Sequence, residues 1–184
     1  MIEISNEQIE RVNAVMHGIA NGSGRVFSNA INRALATVQS KSGDTIREVY
    51  NIKKRDITGR QILKRANSSD LVGGIEFAGT VIPLIKFKVS PSQPKRKTVS
   101  ASVLKAEGGK RLAEAYVADL GVYGVGVFER MTQKRESSTQ LFGPSLAHMA
   151  ENANVLEKME AVAQEKINER IDHEMTRILN GYGG

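Results

Sequence analysis

Residues 154–181 read NVLEKMEAVAQEKINERIDHEMTRILNG, and this stretch decides the fold. Val155, Leu156, Met159, Val162, Ala163, Ile167, Ile171, Met175, Ile178 and Leu179 recur at gaps of one, three and four. That spacing gathers apolar side chains on one face of an α-helix. The pattern persists for about seven turns. Asn154, with Glu157 three residues on, reads as the N-cap, and Asn180-Gly181 supplies the stop. Just upstream, Gly143-Pro144-Ser145 predicts a turn whose proline opens a short helix ending near Ala150.

The opposite end of the chain is also helical in pattern. Ser5-Asn6-Glu7-Gln8 has the form of a capping box, flanked by Ile4 and Ile9 as a hydrophobic staple. Ile9, Val12, Val15, Met16 and Ile19 then predict a helix of about four turns, stopped by Asn21-Gly22-Ser23-Gly24. A second series, Val26, Phe27, Ala30, Ile31, Ala34, Leu35, Val38, Ile46, Val49 and Tyr50, predicts one long helix. Lys41-Ser42-Gly43-Asp44 interrupts its stripe, and glycine costs ~1 kcal/mol relative to alanine within a helix, so a kink or restart is expected there.

Between these helices the period changes to two. Val99, Ala101 and Val103 alternate with Ser100 and Ser102. Ile75, Phe77, Val81, Leu84, Ile85, Phe87 and Val89 lie in short β-rich runs bounded by glycines and Pro91. Pro83 lacks an amide donor and belongs at an edge, a strand start or a bulge. Residues 90–97, SPSQPKRK, hold no apolar anchor and predict a mobile connection tipped by Lys-Arg-Lys. Val125 to Arg130 reads as a strand, with a shorter one near Thr139, and Gly121, Gly124 and Gly126 suggest bulges or close backbone approach. The expected architecture is α+β: an antiparallel sheet of about five or six strands packed with N-terminal helices and a long C-terminal helix. One domain over 1–184 is expected, divided into a first helix (1–22), a long helix (23–58), the sheet region (59–142) and the terminal helices (143–184).

Composition narrows the chemistry. The 184 residues are 40% hydrophobic and 25% charged, with a mean hydropathy of −0.30, values close to those of soluble folded domains. There is no cysteine, which excludes disulfides, thiolate zinc sites and cysteine nucleophiles. No bilayer-length apolar run and no secretory pattern is present, so the cytosol is the expected compartment and no membrane partner is expected.

The net charge of +6 is unevenly spread: residues 51–110 carry thirteen Lys and Arg against four Asp and Glu, and residues 111–184 carry eight against eleven. Lys53, Lys54 and Arg55, with Lys95, Arg96 and Lys97, are the candidate assembly-facing or DNA-facing residues. Two readings of this basic third stand side by side, a surface for nucleic acid or an acidic protein and a merely solvated sheet face. Any DNA contact made by such residues is blind to sequence and sensitive to salt, since no base-reading helix and few stacking aromatics accompany them.

No catalytic or metal constellation emerges. Asp172-His173-Glu174 places three titratable groups in a row, but adjacent helical positions point about 100° apart and do not converge. The position four beyond His173 is Arg177, so a zinc helix is incomplete, and His17 with Glu7 and Glu10 makes no better a set. There is no Gly-x-Ser-x-Gly elbow, and Gly108-Gly109-Lys110-Arg111 lacks the rest of a P-loop. A cell-wall hydrolase would need an acid pair in a cleft, with Glu129 and Asp172 the residues to test. No enzyme activity and no cofactor is expected.

One resemblance does emerge, carried by the order of several short motifs: Arg33-Ala34-Leu35, Val49-Tyr50-Asn51-Ile52-Lys53, Ile82-Pro83-Leu84-Ile85-Lys86-Phe87-Lys88-Val89-Ser90-Pro91, Gly126-Val127-Phe128-Glu129-Arg130, Leu141-Phe142-Gly143-Pro144-Ser145 and Asp172-His173-Glu174. In this order they resemble the prophage minor tail protein Z family, tail completion proteins of long-tailed phages, over roughly residues 25–180. Glu136-Ser137-Ser138-Thr139 is polar where that family usually has an apolar, proline-containing strand. The resemblance implies a structural virion protein at the head-proximal end of the tail, assembled in the host cytoplasm and needed for tail completion, head-tail joining and DNA passage. It further implies neighbours such as the tail terminator and tail tube, and a homo-oligomeric ring whose subunits present two complementary faces. It brings no catalytic residues. The alternative is a sequence-nonspecific DNA-binding module.

Overall fold

The computed structural model describes residues 3–57, 59, 61–95, 97–121, 124–131 and 138–181. The chain forms two compact units, one from Met1–Ser42, Gln61–Glu76 and Leu156–Gly184, the other from Gly43–Arg60 and Phe77–Val155.

The first unit is mainly helical. It holds α1 (Asn6–Val15), most of α2 (Gly22–Val49), the strand pair β1 (Gln61–Lys64) and β2 (Gly74–Phe77), and nearly all of α4 (Ala153–Leu179). Its core joins Val12 and Met16 to Val26, Phe27, Ala30 and Ala34 of α2 and to Ile167, Ile171, Met175 and Ile178 of α4, with Ile4, Ile9 and Ile19 packed against them. The periodic stripes of three helices thus meet in one apolar cluster, the arrangement their spacing demanded.

The caps are as instructive as the core. Ser5 Oγ accepts from the Gln8 amide at 3.3 Å. Among the described residues Gln8 makes no reciprocal bond to the Ser5 amide; its Oε1 accepts from Ser5 Oγ at 3.4 Å and its Nε2 donates to Asn168 Oδ1 of α4 at 3.2 Å. α1 ends at Val15, earlier than its apolar pattern suggests, and Gly18 (φ 87°) and Asn21 (φ 55°) take the left-handed conformations that turn the chain into α2. For α4 the cap is Asn152 rather than Asn154: Asn152 Oδ1 accepts from the Asn154 amide at 3.1 Å. Its stripe is also narrower than the sequence pattern, since Leu156 and Leu179 are 45% and 54% exposed.

α2 runs through Lys41-Ser42-Gly43-Asp44 without a break. Ser42 is fully buried; its hydroxyl donates to the Gln39 carbonyl at 2.8 Å and accepts from Gln61 Nε2 at 2.8 Å. Tertiary bonding overrides the weak helix propensity of the segment.

In the second unit the strands do not form one meander. They divide into three small antiparallel groups: β3 (Val81–Pro83) with β10 (Phe142–Ser145); β4 (Lys88–Ser90), β5 (Val99–Ser102) and β6 (Lys110–Leu112); and β7 (Ala115–Asp119), β8 (Val125–Arg130) and β9 (Ser138–Gln140). The α+β class with a long C-terminal helix stands; the single sheet is replaced by short ones. The reason lies partly in residues 81–90, where a 3-10 turn at Leu84–Lys86 separates β3 from β4. Pro83 sits at the end of its strand, and Pro144 falls where the β3–β10 register shifts, both positions that ask nothing of the missing amide. Ile46, Ile57, Ile82, Leu84, Phe87, Val99, Val117, Val127, Met149 and Val155 are buried in this unit, along with Leu146 of the short helix α3 (Leu146–Ala150). Ser145 Oγ caps α3 by accepting from the His148 amide at 3.2 Å.

Candidate functional site

The first basic cluster is placed by its flanks. Asn51 donates its amide to the Val103 carbonyl at 2.8 Å, and its Nδ2 donates to Ser102 Oγ at 2.9 Å and the Leu104 carbonyl at 3.1 Å. Ile52 and Ile57 are buried on either side, so the single 3-10 turn Lys54–Asp56 is forced to the surface with Lys53, Lys54 and Arg55 exposed. Lys54 does not point freely outward: its Nζ lies 2.8 Å from Asp44 Oδ2. That hydrogen bond, reinforced by the charges of Lys54 and Arg47, holds the Asp44 carboxyl below its ordinary range.

Lys53 and Arg55 line a cleft of ≈ 420 Å³ together with Asp56, Lys86, Ser92 and Gln93. The structure therefore brings the first cluster to the root of the segment that carries the second. Lys95 and Lys97 are exposed in that segment, joined by a bond from the Lys97 amide to the Lys95 carbonyl at 2.8 Å. Arg96 lies outside the described residues. Asp56 sits almost buried in the cleft wall, its Oδ1 3.4 Å from Lys86 Nζ, while its buried Oδ2 accepts no hydrogen bond among the described residues. Sequence reading misses Lys86 and Asp56. The signal for Lys86 is that it is one of two cations, with Lys88, in the otherwise apolar run 81–89, and nothing in the sequence ties Asp56 to it.

The charge division follows the two units. By sequence, the second unit has sixteen Lys and Arg against nine Asp and Glu, a net +7; the first has ten against eleven, a net −1. Exposed cations around an open cleft suit polyanions or acidic protein faces. Asp172 pairs with Arg11 of α1, and Glu174, 3% exposed, accepts from Arg177 Nε at 2.8 Å and Asn29 Nδ2 at 3.3 Å. The Asp172-His173-Glu174 run thus ties three helices together and leaves His173 exposed. Among the described residues, no group of three or more His, Cys, Asp or Glu is placed to hold a metal ion, and no helix is long and apolar enough to cross a membrane.

Motifs distant in sequence also converge. Ile82 and Pro83 pair with Gly143 and Phe142 across β3 and β10, and the Phe87 ring packs on Gly143. Comparison with curated proteins and with solved structures returned no match. The profile of the family described as prophage minor tail protein Z matches residues 9–182, nearly the whole chain, and the chain belongs to that family.

Proposed function

We propose that this phage minor tail protein is a structural completion factor at the head-proximal end of the tail, where it allows head-tail joining and DNA passage. Family membership supports the tail, and the charge division carries the finer placement: a +7 unit with Lys53, Arg55 and Lys86 around one cleft and Lys95 and Lys97 beside it suits a junction traversed by a polyanion. The neighbours in this reading are the tail terminator and tail tube, and the protein assembles as a homo-oligomeric ring. Electron microscopy of virions carrying an epitope on this chain tests the placement. Label at the head-proximal end is the expected result, and label at the distal tip overturns it.

The second reading, a sequence-nonspecific DNA-binding module, is favoured by the same cleft. Titration of duplex DNA at two salt concentrations decides between a channel surface and a true binder. Phosphate neutralisation gives an affinity that falls steeply with salt, whereas absence of binding at low salt removes this reading.

A further inference from the structure

The first unit contains a second basic cleft, separate from the one beside Lys53 and Lys86. It has a volume of ≈ 350 Å³ and is lined by Arg33, Arg65 and Arg177 with Asn29, Asn32 and Glu174. It is rigidly built. Asn32 Nδ2 donates to the Ala66 carbonyl at 2.8 Å, and the Ala66 amide donates to Asn32 Oδ1 at 2.9 Å, so one side-chain amide clamps the backbone beside Arg65 to the helix beside Arg33. The rest of that segment is seated closely too: a β-carbon on Gly24 would lie 2.6 Å from the Ser68 carbonyl oxygen, and one on Gly73 would lie 2.8 Å from Leu35 Cδ1.

Glu174 is satisfied by Arg177 and Asn29. Arg33 and Arg65 are exposed, and among the described residues their guanidinium groups make no hydrogen bond or ion pair. Two such guanidinium forks on a clamped backbone suit an oxyanion, because each presents parallel N–H donors at carboxylate spacing.

The same unit carries the complement. Glu3, Glu7 and Glu10 are exposed and make no ion pair among the described residues; Glu7 and Glu10 stand one turn apart on α1, and Glu3 and Glu7 border a common cavity of ≈ 550 Å³. That cavity also meets α4 at Gln164, Asn168 and Asp172, whereas the arginine cleft meets α4 at Glu174 and Arg177. The two share no lining residue, and at about 100° per residue Asn168 and Asp172 on one side and Arg177 on the other flank the buried stripe of Ile167, Ile171 and Met175. One copy therefore cannot close its own acidic edge onto its own arginine cleft.

We infer that the Arg33–Arg65 cleft receives the Glu3–Glu7–Glu10 edge of a second copy of this chain, a heterologous contact that repeats from copy to copy. Duplex DNA is the poorer occupant: the first unit is −1 overall, so it offers single carboxylates a fork and offers a polyanion no attractive field. This deepens the ring reading by naming its contact, yet it rests on the first unit alone and stands whether or not the ring sits at the head-proximal end.

The test uses two variants of the full chain, R33Q/R65Q for the cleft and E3Q/E7Q/E10Q for the edge, with sedimentation equilibrium at low and physiological salt. Wild type is expected to self-associate, each variant alone to associate at least about tenfold more weakly, and their mixture to form one-to-one dimers that do not grow, since each supplies one intact face. Both variants replace exposed side chains, so their melting temperatures should match wild type. Wild type that stays monomeric, variants that associate like wild type, or a mixture no heavier than its components overturns the inference. So does R33Q/R65Q weakening duplex DNA binding while leaving self-association intact, which would make the cleft a phosphate site. Tail labelling reports separately on location, so failure of one reading is not mistaken for failure of the other.

Discussion

Gly143 and Phe87 are packed so closely that a β-carbon at residue 143 would stand 2.5 Å from Phe87 Cε2. Gly143 also pairs with Ile82 across β3 and β10, next to the register shift at Pro144. The glycine is required by proximity to an aromatic ring, not by an unusual backbone angle. Gly143→Ala is expected to destabilise the protein by roughly 1–3 kcal/mol, the usual cost of overpacking a closed site. Urea unfolding checks it. Phe87→Leu, which withdraws the ring edge, should cost stability by itself yet reduce the penalty of Gly143→Ala, a coupling of about 0.5–3 kcal/mol in a double-mutant cycle. Strict additivity would show that the two residues do not meet.

Glu174 gives a second prediction. Among the described residues it is the buried acid of the first unit, and it accepts from Arg177, 39% exposed, and from Asn29. Glu174→Ala removes the acceptor from both. The loss is about 2–3 kcal/mol, below the usual figure for breaking a wholly buried pair because solvent reaches Arg177. Glu174→Gln keeps an acceptor oxygen and should cost less. Equal melting temperatures for wild type and Glu174→Ala would contradict the burial of this carboxylate.

The α4 stripe separates buried from merely periodic positions. Ile167 is 7% exposed within the core cluster, while Leu179 is 54% exposed near the helix end. Ile167→Asp should abolish cooperative folding, as an unpaired buried charge costs several kcal/mol. Leu179→Asp should shift stability by only about 0.5 kcal/mol or less. Circular dichroism melts of the two variants read the contrast directly, and similar losses for both would mean that the stripe is buried to its end.

Helix existence is legible from residues alone because Val12, Val26, Ala30, Ile171 and Met175 repeat at a period that only a helix presents to one core. Helix ends are less legible: Ser5 is readable as a cap, but Asn152 caps α4 where Asn154 looks equally suitable, and Gly18 turns the chain before Asn21 does. Sheet grouping is not legible: nothing local announces that Ile82 pairs with Gly143 rather than with a strand nearer in sequence. The site divides in the same way. Lys53, Lys54, Arg55, Lys95 and Lys97 stand out as runs, but the cleft also depends on Lys86 and Asp56, and the Arg33–Arg65 cleft depends on a side-chain clamp at Asn32, none of which forms a run.

The Asp44–Lys54 pair predicts a pH effect whose sign is fixed by the lowered carboxyl. Lys54 first, then Arg47, favours the charged form in the folded protein. A depressed folded value means that the pair's contribution is present above the unfolded value of about 4 and is lost as pH falls through the folded one. Stability should therefore decline on acidification in this window, less so at high salt because the pair is exposed. Lys54→Met should flatten that decline by lowering the melting temperature slightly near neutrality, where the pair contributes, and leaving it close to wild type at the acid end. A wild-type melting curve unaffected by the substitution at every pH would remove the pair from the account.

The cleft of the second unit makes predictions of opposite sign at neighbouring residues. Among the described residues, Asp56 is the acid that lines this cleft with Lys53, Arg55 and Lys86, and its Oδ2 accepts no hydrogen bond. Asp56→Asn removes a negative charge from the wall and should strengthen low-salt binding of duplex DNA if phosphates approach this surface. Lys86→Ala, or Lys95→Ala with Lys97→Ala, should weaken it and lower the salt slope by about one for each phosphate no longer neutralised. Lys95 and Lys97 are exposed, so their removal should leave thermal melting intact, whereas Lys86→Ala leaves Asp56 with less compensation and should lower it slightly. Filter binding across a salt series, beside melting of each variant, separates the two effects. If Asp56→Asn and Lys86→Ala move DNA affinity in the same direction, the field of the cleft does not govern DNA binding, and the basic unit acts through protein neighbours instead.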